Sequence, residues 1–334
     1  MPIHQVNIIM KDNIVNWGII GVGDVCEKKS GPAYQKTEGF NLKAVMRRDL
    51  DKAKDFSKRH HIETYTNNAD AIINDPEIDA VYIATPPNNH LEYALKVAEA
   101  GKICCVEKPM AVTFEECKTM LSAFKEKNVP LFVAYYRRSL PRFEQIKTWI
   151  DNKEIGDVRH IHWSLTKPAN EIDVSENYNW RTDKDIALGG YFDDLASHGL
   201  DFFHYILGDV ESVNGQSTNQ QDLYSAKDAL SASWIHKNGI TGSALWNFGS
   251  WKREDRVEII GNKGSIVFSV FDENPIQLIT PKETLSLNID HPENIQLYHV
   301  QNMKKHLDGI EEHPSTGETA LHTAWIMDKI LGRI

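Results

Sequence analysis

The chain has 334 residues, 41% hydrophobic and 25% charged, with a formal net charge of −10. That length accommodates two domains of ordinary size, and the acidic balance argues against a nucleic-acid partner, because phosphate binding requires a basic footprint. The longest apolar runs are too short for a bilayer, and the N-terminal stretch MPIHQVNIIMKDN lacks a basic segment followed by a long apolar one. Neither a membrane partner nor a signal peptide is therefore expected. The four cysteines, Cys26, Cys104, Cys105 and Cys117, contain no CxxC pair, which fits a reduced, cytoplasmic chain without a metal site.

In chain order, the first part alternates short apolar runs with amphipathic ones, the pattern of parallel βα units. Strands are expected at Val15–Ile20, Leu42–Met46, Ala80–Ala84, Ile103–Val106 and Leu131–Ala134. Helices are expected at Asp51–His60, Leu91–Ala100 (closed by Gly101), Thr113–Lys127 and Pro141–Asp151. Thr113 with Glu116 reads as a capping box, and Asn89 with Glu92 as another cap. The second part changes character, with strands expected at Val158–Thr166, Val210–Gln216, Ala229–Trp234, Thr241–Trp246, Arg256–Ile260, Ser265–Ser269 and Ile276–Ile279. Several alternate apolar and polar residues, which suits a sheet with one face exposed. A helix near Gly190–Leu207 interrupts them, and another, Glu318–Leu331, ends the series. The expected architecture is an α/β Rossmann domain with a doubly wound parallel sheet over residues 13–135. An α+β domain with a large, mostly antiparallel open-faced sheet follows over 136–334, its last helix free to pack back on the Rossmann domain.

Chemistry concentrates in a few stretches. Gly21, Gly23 and Cys26 follow the first strand at the spacing of a G-x-G-x-x-G/A fingerprint, where glycines allow a tight turn and close approach of a pyrophosphate. Asp24 and Val25 open the next helix there. An NAD site wants an acid after strand two, yet Arg47 and Arg48 stand there. Guanidinium groups suit a 2′-phosphate, so NADP(H) is favoured, with NAD(H) possible. Asp49 is expected to turn into the following helix start. Ala84, Thr85, Pro86, Asn89 and His90 leave the next strand across the expected path of a cofactor. Glu107 and Lys108 end strand Ile103–Val106, at the edge where open α/β sheets bind ligands, and Pro109 restricts Lys108. Downstream, Asp194 and His198 are four apart on an expected helix, hence on one face. A carboxylate beside an imidazole fixes its tautomer. Trp180, Arg181 and Tyr191 surround that stretch, and Arg137 or Arg138, leaving the last Rossmann strand, is expected to face either a substrate or solvent.

The segments GIIGVGDV, ATPPNNH, VEKPMA, YYRR, NWR, GGYFDDLASHGLD and HPSTGETAL occur in this order. Together they resemble the glucose-fructose oxidoreductase, inositol dehydrogenase and rhizopine-catabolism (Gfo/Idh/MocA) oxidoreductases, over nearly the whole chain. The resemblance implies that Lys108 is the catalytic lysine, with Asp194 and His198 its partners at the substrate. These groups would handle the hydroxyl proton while hydride moves to or from nicotinamide C4. Trp180 and Arg181 look like the cofactor-contacting pair of NADPH-using members. The implied substrate is a sugar, polyol or related cyclic alcohol, and the implied assembly is a homodimer or homotetramer through the open sheet. Cys26, Tyr191, Ala196 and the insertion Lys28–Pro32 depart from the family pattern. Two alternatives stay open: an NAD-dependent glycosidase acting by transient oxidation, and a non-enzymatic cofactor-binding sugar sensor.

Overall fold

A computed structural model describes residues 14–175 and 177–334; the N-terminal stretch discussed above for its lack of a leader lies outside the described residues. The chain divides into two compact units, one containing the chain up to Leu140 together with His291–Leu321, the other Pro141–Asp290 with His322–Ile334. The division differs from a single cut after residue 135. It falls a few residues later, and the segment His291–Leu321 returns to the first unit. The helix Gly317–Leu331 is shared between them.

In the first unit the strands are β1 (Val15–Ile20), β2 (Phe40–Met46), β3 (Thr64–Thr66), β4 (Ala80–Ile83), β5 (Ile103–Val106) and β6 (Leu131–Val133). They pair in parallel in the order β3-β2-β1-β4-β5-β6. All residues of β4, β5 and β6 are buried, as expected of strands covered on both faces, and this is why they read as unbroken apolar runs. The strand order reverses between β1 and β4, so a ligand crevice is expected outside their carboxyl ends. Trp17, Tyr34, Phe40 and Tyr82 form an aromatic cluster in the core. The capping box of Thr113 and Glu116 forms on helix Phe114–Lys127, and Gly101 takes a φ of +67° beyond helix His90–Glu99. Asn89, by contrast, makes no side-chain cap to that helix. The helix expected after the glycine turn forms as Asp24–Lys28, whereas strand β3 and helices Gly31–Lys36, Ala69–Ile73 and Leu297–Leu307 went unforeseen.

In the second unit the strands are β7 (Val158–Thr166), β8 (Val210–Thr218), β9 (Ala229–His236), β10 (Thr241–Asn247), β11 (Glu254–Gly261), β12 (Ser265–Phe268), β13 (Ile276–Ile279) and β14 (Thr284–Leu287). Their order is β14-β13-β12-β11-β7-β10-β9-β8. Every pairing is antiparallel except β7 with β10. One face is buried and carries Trp163, Trp246, Val257 and Ile259; the other carries His162, Leu245 and Arg256. Gly199 lets helix Ser197–Leu207 lie close against the buried face, because a Cβ there would come within 2.5 Å of the Trp163 ring. Among the described residues no helix is long and apolar enough to cross a membrane. The four cysteines are buried thiols.

The helix expected near Gly190–Leu207 forms, but its first part is not an ordinary α-helix. Phe192–Ala196 makes a π-helical turn before the α-helix Ser197–Leu207, a widening frequent at functional sites. Gly190 enters it at a φ of +59°, a left-handed conformation that glycine adopts without cost. The buried Asp193 carboxylate secures the turn by accepting the Gly189 N–H at 2.9 Å, with Arg333 at 3.6 Å. Burial pushes the Asp193 carboxyl up to about 6. A carboxyl raised on folding favours the native state while it is protonated, and that contribution is lost as pH rises through the folded value. Wild type should therefore lose stability relative to Asp193→Asn between about pH 4 and 6, by up to about 3 kcal/mol. Denaturant titrations of both proteins across that range check this, and parallel pH profiles would show that Asp193 does not titrate there.

Candidate functional site

A cavity of about 360 Å³ in the first unit is lined by Gly21, Val22, Gly23, Met46, Arg47, Arg48, Asp49, Lys52, Ala84, Thr85, Pro86, Asn89 and Tyr93. These residues follow β1, β2 and β4, so the cavity lies at the carboxyl ends on either side of the order reversal. Gly21 has a φ of +100°, and a Cβ there would approach the Ala84 carbonyl to 2.9 Å, so glycine is what allows the two loops to meet. At Gly23 a Cβ would meet nothing within 4 Å. That open space beside the backbone is the approach a pyrophosphate needs. Cys26 serves as the small third residue: it is fully buried, its thiol donates to the Gly21 carbonyl at 3.8 Å, and burial pushes that thiol up to about 12. The insertion after it splits the helix, since Gly31 packs where a Cβ would lie 2.4 Å from the Cys26 carbonyl.

The end of β2 carries more cationic charge than the sequence reading counted. Lys52 joins Arg47 and Arg48 in the cavity lining. Asp49 caps helix Leu50–Arg59, accepting the Lys52 N–H at 3.1 Å. That backbone donor, with the Lys52 ammonium 3.7 Å away, holds its carboxyl below the usual range. Lys52 and Tyr93 could have been found by stepping one helical turn on from Asp49 and Asn89.

Asp24, Val25, His90, Glu107 and Lys108 do not line this cavity. Asp24 is exposed and Val25 half-buried at the helix start. His90 is fully buried, its Nδ1 3.0 Å from the Pro109 carbonyl and its Nε2 2.8 Å from that of Thr85. Burial lowers its pKa while those carbonyls oppose the change. It therefore ties the loop after β4 to the loop after β5 from beneath. Glu107 also turns inward. Its Oε1 accepts the Tyr82 hydroxyl at 2.6 Å and Gln296 Nε2 at 2.7 Å, and its Oε2 accepts the N–H of Lys108 at 3.1 Å. Lys108 follows at the carboxyl end of β5, half-buried, with a cis peptide to Pro109. Gln296 went unnoticed because it precedes the unforeseen helix Leu297–Leu307. Arg137 is buried with its guanidinium 5.1 Å from the Tyr136 ring centroid.

In the second unit, the π-turn holds Asp194, whose Oδ2 accepts Arg181 Nε at 2.7 Å. Arg181 stacks on Trp180 with its guanidinium carbon 4.5 Å from the ring centroid. The expected cofactor pair and the expected catalytic carboxylate are thus one assembly. Tyr191 donates to Asp173 at 2.8 Å and accepts from Asn179 at 3.0 Å; burial pushes its phenol up to about 12. His198 lies in the first turn of the α-helix Ser197–Leu207, buried, with its ring T-shaped to that of Phe271 at 5.9 Å between centroids. Elsewhere, among the described residues, His204, Asp209 and His322 bring potential metal ligands within 4.8 Å of one another. There His322 Nε2 accepts the Val210 N–H and Asp209 pairs with Lys237.

Known proteins share this arrangement. Residues 15–135 match the model of an oxidoreductase family with an NAD-binding Rossmann fold, and residues 143–267 that of the GFO/IDH/MocA C-terminal domain. Oxidoreductase P35 of Formosa agariphila is 39% identical over 95% of this chain and 98% of its own. D-xylose 1-dehydrogenase [NADP(+)] of Haloarcula marismortui is 25% identical over 85% of this chain and 81% of its own. The solved structure of a levoglucosan dehydrogenase in complex with NADH and levoglucosan superposes with a TM-score of 0.83 at 25% identity, covering 95% of this chain and 96% of that one. With both domain models matched in order and a relative similar along almost its full length, the chain belongs to the GFO/IDH/MocA family of oxidoreductases.

Proposed function

We propose that the chain is an NADP(H)-dependent dehydrogenase or reductase acting on a sugar, polyol or related cyclic alcohol. The observation that carries this reading is Lys108, held through its own backbone by a buried Glu107 at the carboxyl end of β5. The cavity fits a dinucleotide: Gly23 leaves room for the phosphates, and Arg47, Arg48 and Lys52 offer positive charge at the far end of β2. A bound nicotinamide would supply or accept the hydride. The chain's own part is the proton. Lys108 and His198 are the groups we assign to exchanging it with the substrate oxygen, and Asp194 is steadied by Arg181. Relatives are named for sugars with NADH and with NADP(+), and here the arginines favour NADP(H). Net oxidation of NADPH during turnover separates this activity from a glycosidase that re-reduces its product, and retention of Lys108 and His198 weighs against a sensor.

Lys108→Met should lower kcat by at least ~10²-fold while leaving NADPH affinity within about tenfold, ~1.4 kcal/mol. Stopped-flow turnover and fluorescence titration read the two quantities separately, and full activity would remove Lys108 from the chemistry.

NADPH should bind more tightly than NADH to the wild-type protein. Replacing Arg47 and Arg48 by serine should weaken NADPH by ~1.5–3 kcal/mol for each charge-assisted bond lost, with little effect on NADH. A wild-type preference for NADH would overturn the assignment.

The exposed face of the second sheet is proposed to join copies of the chain into a dimer or tetramer. Leu245 and Ile235 are each 44% exposed on adjacent strands, beside a polar row in which His160 bonds Thr241 and Ser243. Light scattering should give a multiple of the chain mass for wild type and a smaller species for Leu245→Glu; a monomeric wild type would refute the interface.

A further inference from the structure

Lys167 follows β7 directly and played no part in the sequence reading. Its backbone is pinned on both sides, donating to the Asn247 carbonyl at 2.9 Å and accepting from the Ser250 N–H at 3.2 Å. The residue thus belongs to the rim of the sheet. Its ammonium lies over Tyr191, 4.3 Å from the ring centroid, and donates to Asn170 Oδ1 at 2.7 Å. Among the described residues that neutral amide is its single hydrogen-bond partner. The other charges nearby are matched: Arg181 pairs with Asp194 at 2.7 Å, Arg253 with Asp272 at 2.6 Å, and Asp173 accepts from Tyr191, Asn170 and Asn179.

An ammonium carries three donors, and a half-buried one loses water that must be replaced by acceptors. Burial lowers the Lys167 pKa, with Asp173 and Asp194 opposing that shift and Arg253 and Arg181 adding to it. The same ammonium neighbours Tyr191, three residues before Asp194, and lies within the electrostatic reach of Asp194 itself. It therefore has donors to spare where it lies over Tyr191, on the turn that carries Asp194.

We propose that Lys167 is a specificity-determining residue whose ammonium donates to an oxygen substituent of the substrate, hydroxyl or carboxylate, other than the oxygen that exchanges its proton. This rests on the reading of Asp194 and His198 as the substrate side of the site. The aromatic face of Tyr191 and the Asn170 amide hold the ammonium in place until that oxygen arrives.

The test has two readouts on the full chain. The first needs no turnover: acetylation of Lys167 by sulfo-N-hydroxysuccinimidyl acetate, followed by mass spectrometry on the NADP⁺-saturated protein with and without D-glucose, D-xylose or D-glucuronate. Protection of Lys167 by at least one of them is expected, and no protection by any overturns the proposal. The second is kinetic. For whichever of these sugars is turned over, Lys167→Met should raise KM roughly tenfold or more, the loss expected of one charge-assisted bond. NADP(H) affinity should hold, kcat should change far less, and Lys167→Arg should recover part of the loss. An unmoved KM, or a joint loss of kcat and cofactor affinity, marks Lys167 as a structural prop and overturns the proposal. A KM effect confined to D-glucuronate assigns the carboxylate as acceptor, and one shared with D-glucose assigns a hydroxyl. If wild type oxidises none of the sugars, the proposed activity fails on that panel while the acetylation result still decides Lys167.

Discussion

The first unit depends on satisfying one buried negative charge. Glu107 is 7% exposed in a core otherwise built from Trp17, Tyr34, Tyr82 and Val300. A carboxylate there is tolerated only when donors replace its water, and three do: the Tyr82 hydroxyl, the Gln296 amide and the Lys108 N–H. Each donor belongs to a different part of the chain. Tyr82 lies in β4, Lys108 just beyond β5, and Gln296 at the head of the returning segment. Loss of one partner leaves the charge underpaired, at a cost of about 1–3 kcal/mol. The same bonds aim Lys108 and bring the returning helix Leu297–Leu307 into the core, where Val300 and Met303 are fully buried.

The second unit also places a buried acid before an assigned group, with weaker compensation. One oxygen of Asp193 accepts the Gly189 N–H and lies 3.6 Å from Arg333 while burial raises its carboxyl, whereas Asp194, the next residue, meets Arg181. In both units the group assigned to chemistry follows immediately after a buried acid whose task is backbone geometry. Adjacent side chains leave the main chain in different directions. A fixed inward residue therefore leaves its neighbour few directions to choose from. In each unit the position of the assigned residue is thus fixed by hydrogen bonds of the residue before it.

What could be read in advance follows from how local each signal is. β1, β5, β7 and β13 were expected with the boundaries they have, because continuous or alternating apolar runs are carried by the strand itself. β3 and β14 were missed: both are short edge strands of largely exposed residues, formed by pairing with a neighbour and not by their own pattern. The π-turn was missed for a related reason. Its cause is a buried carboxylate and a left-handed glycine, and the i, i+4 spacing of Asp194 and His198 reads as an ordinary helix. The glycine turn and the arginines after β2 were legible as motifs. Gln296 and Lys167 were not, since each acquires meaning only from residues distant in sequence: Glu107 for the first, Tyr191 and Asn170 for the second.

Membership of the family leaves cofactor choice open. A shared fold does not decide it, since relatives of this architecture are named for NADH and for NADP(+). The decision falls to a handful of groups after β2. An acid there would bind ribose hydroxyls, and Asp49 is near enough to be mistaken for it. Its carboxylate, however, is committed to the first turn of helix Leu50–Arg59 and to Lys52, a placement the helix terminus itself favours. With that acid occupied, Arg47 and Arg48 set the sign of the potential at the cavity's edge. A 2′-phosphate is attracted to such a field in proportion to its charge, and an uncharged hydroxyl gains far less.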